Sequence, residues 1–291
     1  MKAAPFEYHR PDSVADATAL LAELGDDAKA IAGGQSLVPM LAMRLSIFEH
    51  LVDIGRLDEM KGVERRDGHL WVGGGTTEAA VEHHPEVAVD VPLLARSTPL
   101  IGHLQIRNRG TVGGSVAHAD PAAEYPAVVL ALDAELEATS AAGRRVIAAR
   151  DFFTGLWTTA LGPAELLTGI RFPVWDGRTG FAVRELTRRH GDFAIAGTAL
   201  AVQLDDDDRV TRCGIGLFGL GSTPTRATVA EQSVSGRTPT EISAEEVGRL
   251  AVADLEDVPH DLNGSASYRK RVGAAMVERA WQAAIAEASG R

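Results

Sequence analysis

Two glycine pairs in this chain stand at positions where phosphate-binding loops are found in other folds. The first pair follows an apolar strand predicted over 28–32 and precedes a helix predicted over 37–45. Glycine lets the backbone approach a phosphate closely, and the first N–H groups of a helix point at a bound anion. The same pattern is typical of a plain tight turn, so alone it does not establish phosphate binding. The segment consists of Ala32, Gly33, Gly34, Gln35, Ser36 and Leu37.

The second pair lies in the stretch 105–115, which is dense in Arg, Asn and Gly and which we predict to be a loop. Two anion-binding corners suit a pyrophosphate. The carboxylate of Asp120 would repel phosphate but accept hydrogen bonds from ribose or ribityl hydroxyls, which favours a dinucleotide. Asp120 also fits as the N-cap of a helix predicted over 121–132, and the two roles are compatible. The stretch ends with Thr111, Val112, Gly113, Gly114 and Ser115.

Composition and charge exclude several classes of partner. Lys and Arg number 29 against 40 Asp and Glu, the formal net charge is −11, and no basic block occurs along the 291 residues. Nucleic acid and anionic membranes are therefore not expected partners. No apolar stretch reaches the ~20 residues that a bilayer span needs, and the N-terminus lacks the apolar core of a signal peptide. We expect a cytoplasmic protein without a membrane span.

A single cysteine, Cys213, limits the redox chemistry of the chain. One thiol cannot form an internal disulfide, and an iron–sulfur cluster needs about four thiolates. Any such cluster must belong to another chain, and Cys213 is interpreted as a small buried apolar residue. Only His83 and His84 are adjacent histidines, on different helix faces, so no metal site is predicted. The acidic run 205–208 is interpreted as a hairpin turn, and the glycines of 216–221 as close packing at a sheet end.

Hydrophobic periodicity divides the chain into two parts with a predicted boundary at 176–180. In the first part we predict helices over 14–24, 37–45, 76–83, 92–103 and 121–132, and strands over 28–32, 51–54, 70–73, 135–139, 145–149 and 166–172. In the second part we predict three strands, over 181–187, 194–204 and 210–220, then helices over 225–233, 244–255 and 267–288. Asp12 or Ser13 is expected to cap the first helix, and Ser265 or Ser267 the last. Strands followed by helices indicate α+β architecture.

Three motifs, in this order along the chain, carry a family resemblance. They are 32–40, then 105–115 with 119–124 after it, and finally Arg189-His190-Gly191-Asp192-Phe193-Ala194. With them the chain resembles, over essentially all 291 residues, the FAD-binding medium subunit of molybdenum hydroxylases, the carbon monoxide dehydrogenase and xanthine dehydrogenase family. Three positions depart from the family pattern. Gln35 stands where His is frequent, Ser115 where Asn is frequent, and Phe193 where Tyr is common, so a tyrosine hydroxyl is lost.

The resemblance implies an α+β fold with two domains. Residues 1–176 would form a two-lobed flavin-binding domain of the vanillyl-alcohol-oxidase-like type, with lobes of about 1–56 and 57–176. Residues 177–291 would form a smaller domain with a three-stranded antiparallel sheet and a three-helix bundle. It further implies that 32–37 and 111–115 wrap the FAD pyrophosphate, that Asp120 holds ribityl or ribose hydroxyls, and that Phe193 lies near the isoalloxazine ring.

The resemblance also implies a function for the chain inside a larger complex. It would carry noncovalent FAD and pass electrons from two [2Fe–2S] clusters on an iron–sulfur small subunit to an external acceptor. A large subunit would carry the molybdopterin cofactor, and the assembly would be a dimer of heterotrimers. The arginines of 107–109 would either meet the iron–sulfur subunit or brace their own loop. Two alternatives stay open: a self-contained FAD-dependent oxidase or dehydrogenase, and a scaffold subunit that has lost the flavin.

Overall fold

The computed structural model describes residues 2–290, which fold into a mixed helix and sheet structure. The first part of the chain contains ten strands and eight helices within this range. The strands are β1 (Glu7–His9), β2 (Ala28–Ile31), β3 (His50–Asp53), β4 (Val63–Arg66), β5 (His69–Gly73), β6 (Glu135–Ser140), β7 (Gly143–Ala148), β8 (Phe153–Gly155), β9 (Thr158–Thr159) and β10 (Leu166–Pro173). The helices are α1 (Val14–Leu24), α2 (Leu37–Met43), α3 (Glu78–Glu82), α4 (Pro85–Asp90), α5 (Pro92–Ser97), α6 (Leu104–Arg107), α7 (Val112–His118) and α8 (Glu124–Ala131).

The first sheet is small and parallel, with strand order β1-β3-β2. Helix α1 begins where Ser13 accepts a hydrogen bond from the Asp16 N–H, which confirms Ser13 as its cap. Its apolar stripe, including Ala17 and Leu21, packs with Val52 of β3 in one core. The segment 32–37 follows directly after the carboxyl end of β2.

The second sheet is antiparallel, with strand order β4-β5-β10-β6-β7. Its main core includes Leu136 of β6 and Ile170 of β10 together with helix α8, in which every residue is buried. Because α8 is buried on all sides, other elements must pack against each of its faces. The strands β8 and β9 form a separate two-stranded hairpin.

The C-terminal part supplies the other cover for α8. It contains β11 (Arg178–Leu186), β12 (Ala196–Leu204), β13 (Val210–Phe218), β14 (Thr225–Arg226), α9 (Thr228–Val234), α10 (Ala244–Ala251) and α11 (Ala266–Ala288). The four strands form one antiparallel sheet in chain order. A Cβ at Gly214 or Gly216 of β13 would overlap α8 backbone, and one at Gly180 of β11 would overlap the carbonyl of Ala284 in α11. Helices therefore lie against both faces of this sheet at backbone contact distance.

The structure corrects several of the predicted elements. The C-terminal sheet has four strands instead of three, because Thr225–Arg226 pairs with β13 and the helix predicted over 225–233 begins only at Thr228. The predicted helix 92–103 ends at Ser97, and the predicted helix 121–132 begins at Glu124. The stretch 105–115 is not a loop throughout, since it contains part of α6 and of α7. Within residues 2–290, no helix has the length and hydropathy required to cross a bilayer.

Candidate functional site

The two glycine segments lie in direct contact. A Cβ at Gly33 would overlap the carbonyl of Arg109 and come within 2.9 Å of the Gly110 Cα, so only glycine allows this approach. A Cβ at Gly114 would lie 3.6 Å from that of Ala32. The structure therefore brings together two segments that are almost eighty residues apart in the chain, as a pyrophosphate cradle requires.

The first segment presents backbone N–H groups on an accessible turn. Gly34 has a φ of 74°, a left-handed conformation that favours glycine. The first backbone hydrogen bond of the following turn runs from Val38 to the Gly34 carbonyl, so the N–H groups of 34–37 precede it. Ser36 stands at the N-cap position of α2 without a capping hydrogen bond from its side chain. Gln35 donates from Nε2 to the Gly33 carbonyl at 3.1 Å, which steadies the turn.

The second segment packs against the turn that follows β5. Thr111 caps α7, with its Oγ1 accepting from the Gly114 N–H at 3.0 Å. The Gly113 N–H donates to the Gly74 carbonyl at 2.9 Å, and a Cβ at Gly113 would lie 2.6 Å from the Gly74 Cα. Gly113 is therefore required for packing against the Gly74 backbone, whereas Gly114, which lies near Ala32, and Ser115 are partly exposed.

Asp120 lies beyond the other end of α7, a helix about 10 Å long. It is not a helix cap, because α8 begins only at Glu124. Its Oδ1 accepts from the Ala122 N–H at 2.8 Å, in a turn that follows the left-handed residue Ala119. The side chain is half-buried. A carboxylate at this position leaves acceptor capacity for hydroxyl groups of a ligand that extends along α7.

His118 and Trp157 form an aromatic pair that the sequence did not point out. Their rings are close to parallel, at an interplanar angle of 9° with centroids 6.4 Å apart. Burial lowers the pKa of His118, against the attraction of Asp120, which raises it. Trp157 is half-exposed in the hairpin between β8 and β9. The residues are remote in sequence, so only the fold reveals that a flat apolar surface lies beside Asp120.

Phe193 belongs to the third motif and is 69 % exposed. Its loop reaches the first part of the chain, because a Cβ at Gly191 would lie 2.8 Å from the Gly102 carbonyl. The rings of His190 and His103 have centroids 5.8 Å apart in the same contact. The third motif is thus placed beside the segment that leads into the second, with a large aromatic ring left uncovered.

The two arginines of 107–109 have different environments. Arg107 is buried, and its guanidinium binds both carboxylate oxygens of Glu82, at 2.7 and 3.2 Å. It also donates to the Ile101 carbonyl at 3.0 Å. Arg107 therefore braces its own loop, and the interpretation of this residue as a docking group is wrong. Arg109 is exposed.

Three carboxyl groups are clustered between α3, α8 and β11. Burial raises the pKa of Glu78 to about 8, against the attraction of Arg107. Burial also raises the pKa of Glu124 to about 8, with a further contribution from Glu185, whose own pKa is raised to about 7. The Oε2 atoms of Glu78 and Glu185 have no hydrogen-bond partner in the described chain. Sequence reasoning missed this cluster, because each residue alone follows an ordinary helix or strand pattern.

The chemistry of these groups fits a dinucleotide. The glycines let the two segments lie in backbone contact, the N–H groups of 34–37 precede the first hydrogen bond of their turn, where helices bind anions, and Asp120 supplies acceptors beyond the end of α7. Residues 32–37 and 111–115 contain no histidine, lysine or carboxylate that could act as a base for their hydroxyl groups. Cys213, the single thiol, lies elsewhere: it packs partly buried against the C-terminal core, where burial raises its pKa.

Comparisons with known proteins agree with this geometry. Residues 4–175 match the family model of the FAD binding domain in molybdopterin dehydrogenase, and residues 181–284 match that of the CO dehydrogenase flavoprotein C-terminal domain. The chain is 41% identical to the 6-hydroxypseudooxynicotine dehydrogenase complex subunit alpha of Paenarthrobacter nicotinovorans, over 96% of this chain and 94% of that protein. It is 37% identical to the carbon monoxide dehydrogenase medium chain of Hydrogenophaga pseudoflava, over 97% of both.

The fold is similar to that of solved structures over its full length. A carbon monoxide dehydrogenase structure from Hydrogenophaga pseudoflava, which lacks the Mo-pyranopterin moiety of its molybdenum cofactor, matches with a TM-score of 0.96 and 38% identity, covering 99% of both chains. At this coverage the match includes both glycine segments and the C-terminal sheet.

Proposed function

Because this chain belongs to the family of FAD-binding medium subunits of molybdenum hydroxylases, we propose that it carries electrons between a partner subunit and an external acceptor. It is an oxidoreductase subunit with an FAD-binding domain. The donors we propose are [2Fe–2S] clusters on a small subunit, which receive electrons from a molybdopterin centre on a large subunit. A single cysteine in 291 residues agrees with clusters on another chain.

The contact between the two glycine segments is the observation that supports this proposal most strongly. We propose that the N–H groups of 34–37 and the residues 111–115 hold the pyrophosphate of FAD, and that Asp120 accepts hydrogen bonds from its ribityl or ribose hydroxyls. Phe193 would cover one side of the ring system and exclude water there. FAD, when bound, supplies the ability to accept electrons and release them to an acceptor.

We infer that the flavin is held without a covalent bond. Neither glycine segment contains cysteine or histidine, and Cys213 lies in the C-terminal part of the fold. His118 is the one histidine of residues 32–37 and 111–120, and its ring stacks on Trp157. We place the boundary between the FAD-binding domain and the C-terminal domain at 176/177, between the end of β10 and the start of β11.

The isolated chain should bind FAD but turn over no substrate. Since we propose that the substrate-oxidising centre lies on the large subunit, turnover should return only when the two partner subunits are added. The measurement is flavin reduction by substrate, followed by absorbance, with and without the partners, and dithionite as the control that the flavin is redox-active. Substrate turnover by the isolated yellow chain would instead favour the self-contained oxidase, and a colourless chain that does not take up FAD would favour the scaffold.

An exposed apolar surface next to the first glycine segment is the docking surface we propose for the iron–sulfur subunit. It is formed by Val38, Met43, Leu45 and Ile47, each at least half-exposed. Contiguous exposed apolar side chains are typical of protein interfaces. The surface continues directly from the first glycine segment, since Val38 is the residue that follows Leu37. We therefore propose this surface, and not Arg107, as the contact with the iron–sulfur subunit.

Charge on this surface should weaken assembly. The double variant Leu45→Asp, Ile47→Asp puts two carboxylates into the interface, where they lose hydration without a partner, and binding should fall at least about tenfold. The measurement is co-purification with a tagged small subunit. Val89→Asp is the matched control, since Val89 is 76 % exposed on α4. Equal capture of the double variant and the control would contradict this placement of the interface.

A further inference from the structure

Two histidines and a glutamate converge on one face of the parallel sheet. The His9 Nε2 lies 3.1 Å from the His50 Nδ1. A carboxylate oxygen of Glu7 lies 3.5 Å from that His50 nitrogen and 3.9 Å from the His9 nitrogen. These are three ligand atoms of the types that borderline transition metals prefer.

The pairing of strands β1 and β3 determines how these three side chains are arranged. Glu7 of β1 is paired with His50 of β3 in the parallel register, so their side chains share a face. His9 is two residues beyond Glu7, and alternate residues of a strand point to the same side. The grouping is therefore determined by backbone pairing and does not depend on a flexible loop.

The three distances have the size of a coordination sphere. A point equidistant from the three atoms lies about 2.1 Å from each, whereas Zn–N and Zn–O bonds are about 2.0–2.2 Å long. The histidine side chains are 26 % and 20 % exposed and that of Glu7 is 74 % exposed, so an ion and its water ligands have access. We propose that Glu7, His9 and His50 form a binding site for a divalent transition-metal ion such as Zn²⁺.

The site is separate from the flavin site. Glu7, His50 and Ala28 form one row across the sheet, and the first glycine segment follows Ile31 at the opposite end of β2. The two ends are about 10 Å apart along the strand. An ion here would tie β1, a three-residue edge strand, to the central strand β3. Its chemical role would be structural, and the proposal does not depend on the proposed electron transfer.

A hydrogen bond between two neutral imidazoles is the alternative explanation of the short His9 to His50 distance, and metal titration distinguishes the two. The flavin-loaded chain, stripped with EDTA, should take up one Zn²⁺ in competition with a chromogenic chelator. His9→Ala and His50→Ala should each weaken this binding at least about tenfold, because each removes one ligand. His260→Ala, at an exposed histidine of the C-terminal part, is the matched control. Unchanged flavin absorbance reports that each variant is folded.

The unmodified chain provides a second test that does not require a variant. Cu²⁺ added in equimolar amount should give an electron paramagnetic resonance spectrum with hyperfine splitting from two nitrogens, and zinc should raise the thermal midpoint reversibly. Nitrogen splitting from fewer than two imidazoles would overturn the proposal. So would Zn²⁺ affinity that is unchanged when both histidines are replaced.

Discussion

Replacing Gly113 by valine is expected to reduce FAD affinity at least about 100-fold. The new Cβ would lie 2.6 Å from the Gly74 Cα, closer than carbon atoms in proteins approach one another. Since Gly74 belongs to the turn after β5, α7 must move away, and with it the N–H groups and hydroxyls of 111–115. The measurement is the flavin content of the purified chain, followed by FAD titration of the apoprotein by flavin fluorescence.

Two further variants separate flavin loss from unfolding. Gly155→Val is the matched control, because a Cβ there would find its nearest neighbour at 3.7 Å, an ordinary contact in the same part of the chain. Gly114→Ala is a milder change, since its Cβ meets the Thr111 Oγ1 at 2.7 Å and that side chain can rotate. We expect full flavin in the first and partial loss in the second. Full flavin occupancy in folded Gly113→Val protein would contradict the assignment of this segment.

Gly113 shows which part of the site can be predicted from the sequence and which part requires the structure. The sequence singled out the glycine pair, and its contact with phosphate stays a prediction. The sequence predicts these glycines for the close approach of a phosphate, whereas the structure shows that the immediate neighbour of Gly113 is the Gly74 backbone. The contact joins two turns that are remote in the chain. Local patterns cannot reveal which neighbour makes a glycine necessary.

The sequence correctly predicted those helix ends that are determined by residues close by in the chain. Ser13 and Ser265 cap α1 and α11 as expected, because side-chain capping is decided within four residues. Strand β1 was missed, since three residues between two prolines show no periodicity and the strand exists only through pairing with β3. Helix α7 was missed because two glycines near its start disfavour a helix, a cost that the packing of Gly113 and the Thr111 cap offset.

The buried titratable groups were the feature of the site that the sequence predicted least well. Glu78 follows Thr77 at the start of a short helix, where an acidic residue is common and usually exposed. In the structure it is 4 % exposed, and its carboxylate occupies the space that a Cβ at Gly110 would need. Glu124 is buried at the start of α8 beside it. Burial of carboxyl groups from three elements arises only from tertiary packing, and it has a measurable consequence.

The stability of the flavin-loaded chain should fall as the pH rises from about 5 to 8. The pKa of Glu78 is raised from its ordinary 4.5 to about 8, so below pH 4.5 both folded and unfolded chains carry the proton. Above that pH the unfolded chain ionises freely, whereas the folded chain must keep the proton or bury a charge. The lost stability reaches up to about 5 kcal/mol above pH 8 for one such group.

Glu78→Gln should remove much of this dependence, because the amide does not ionise. We expect a thermal midpoint roughly 5–10 °C above that of the unmodified chain at pH 8, and no difference at pH 5. Glu124→Gln should act in the same direction, since the pKa of Glu124 is also raised to about 8. Glu245→Gln, at an exposed position of α10, is the control and should follow the unmodified chain at both pH values. A Glu78→Gln midpoint that falls with pH as steeply as that of the unmodified chain would contradict the assignment of this dependence to Glu78.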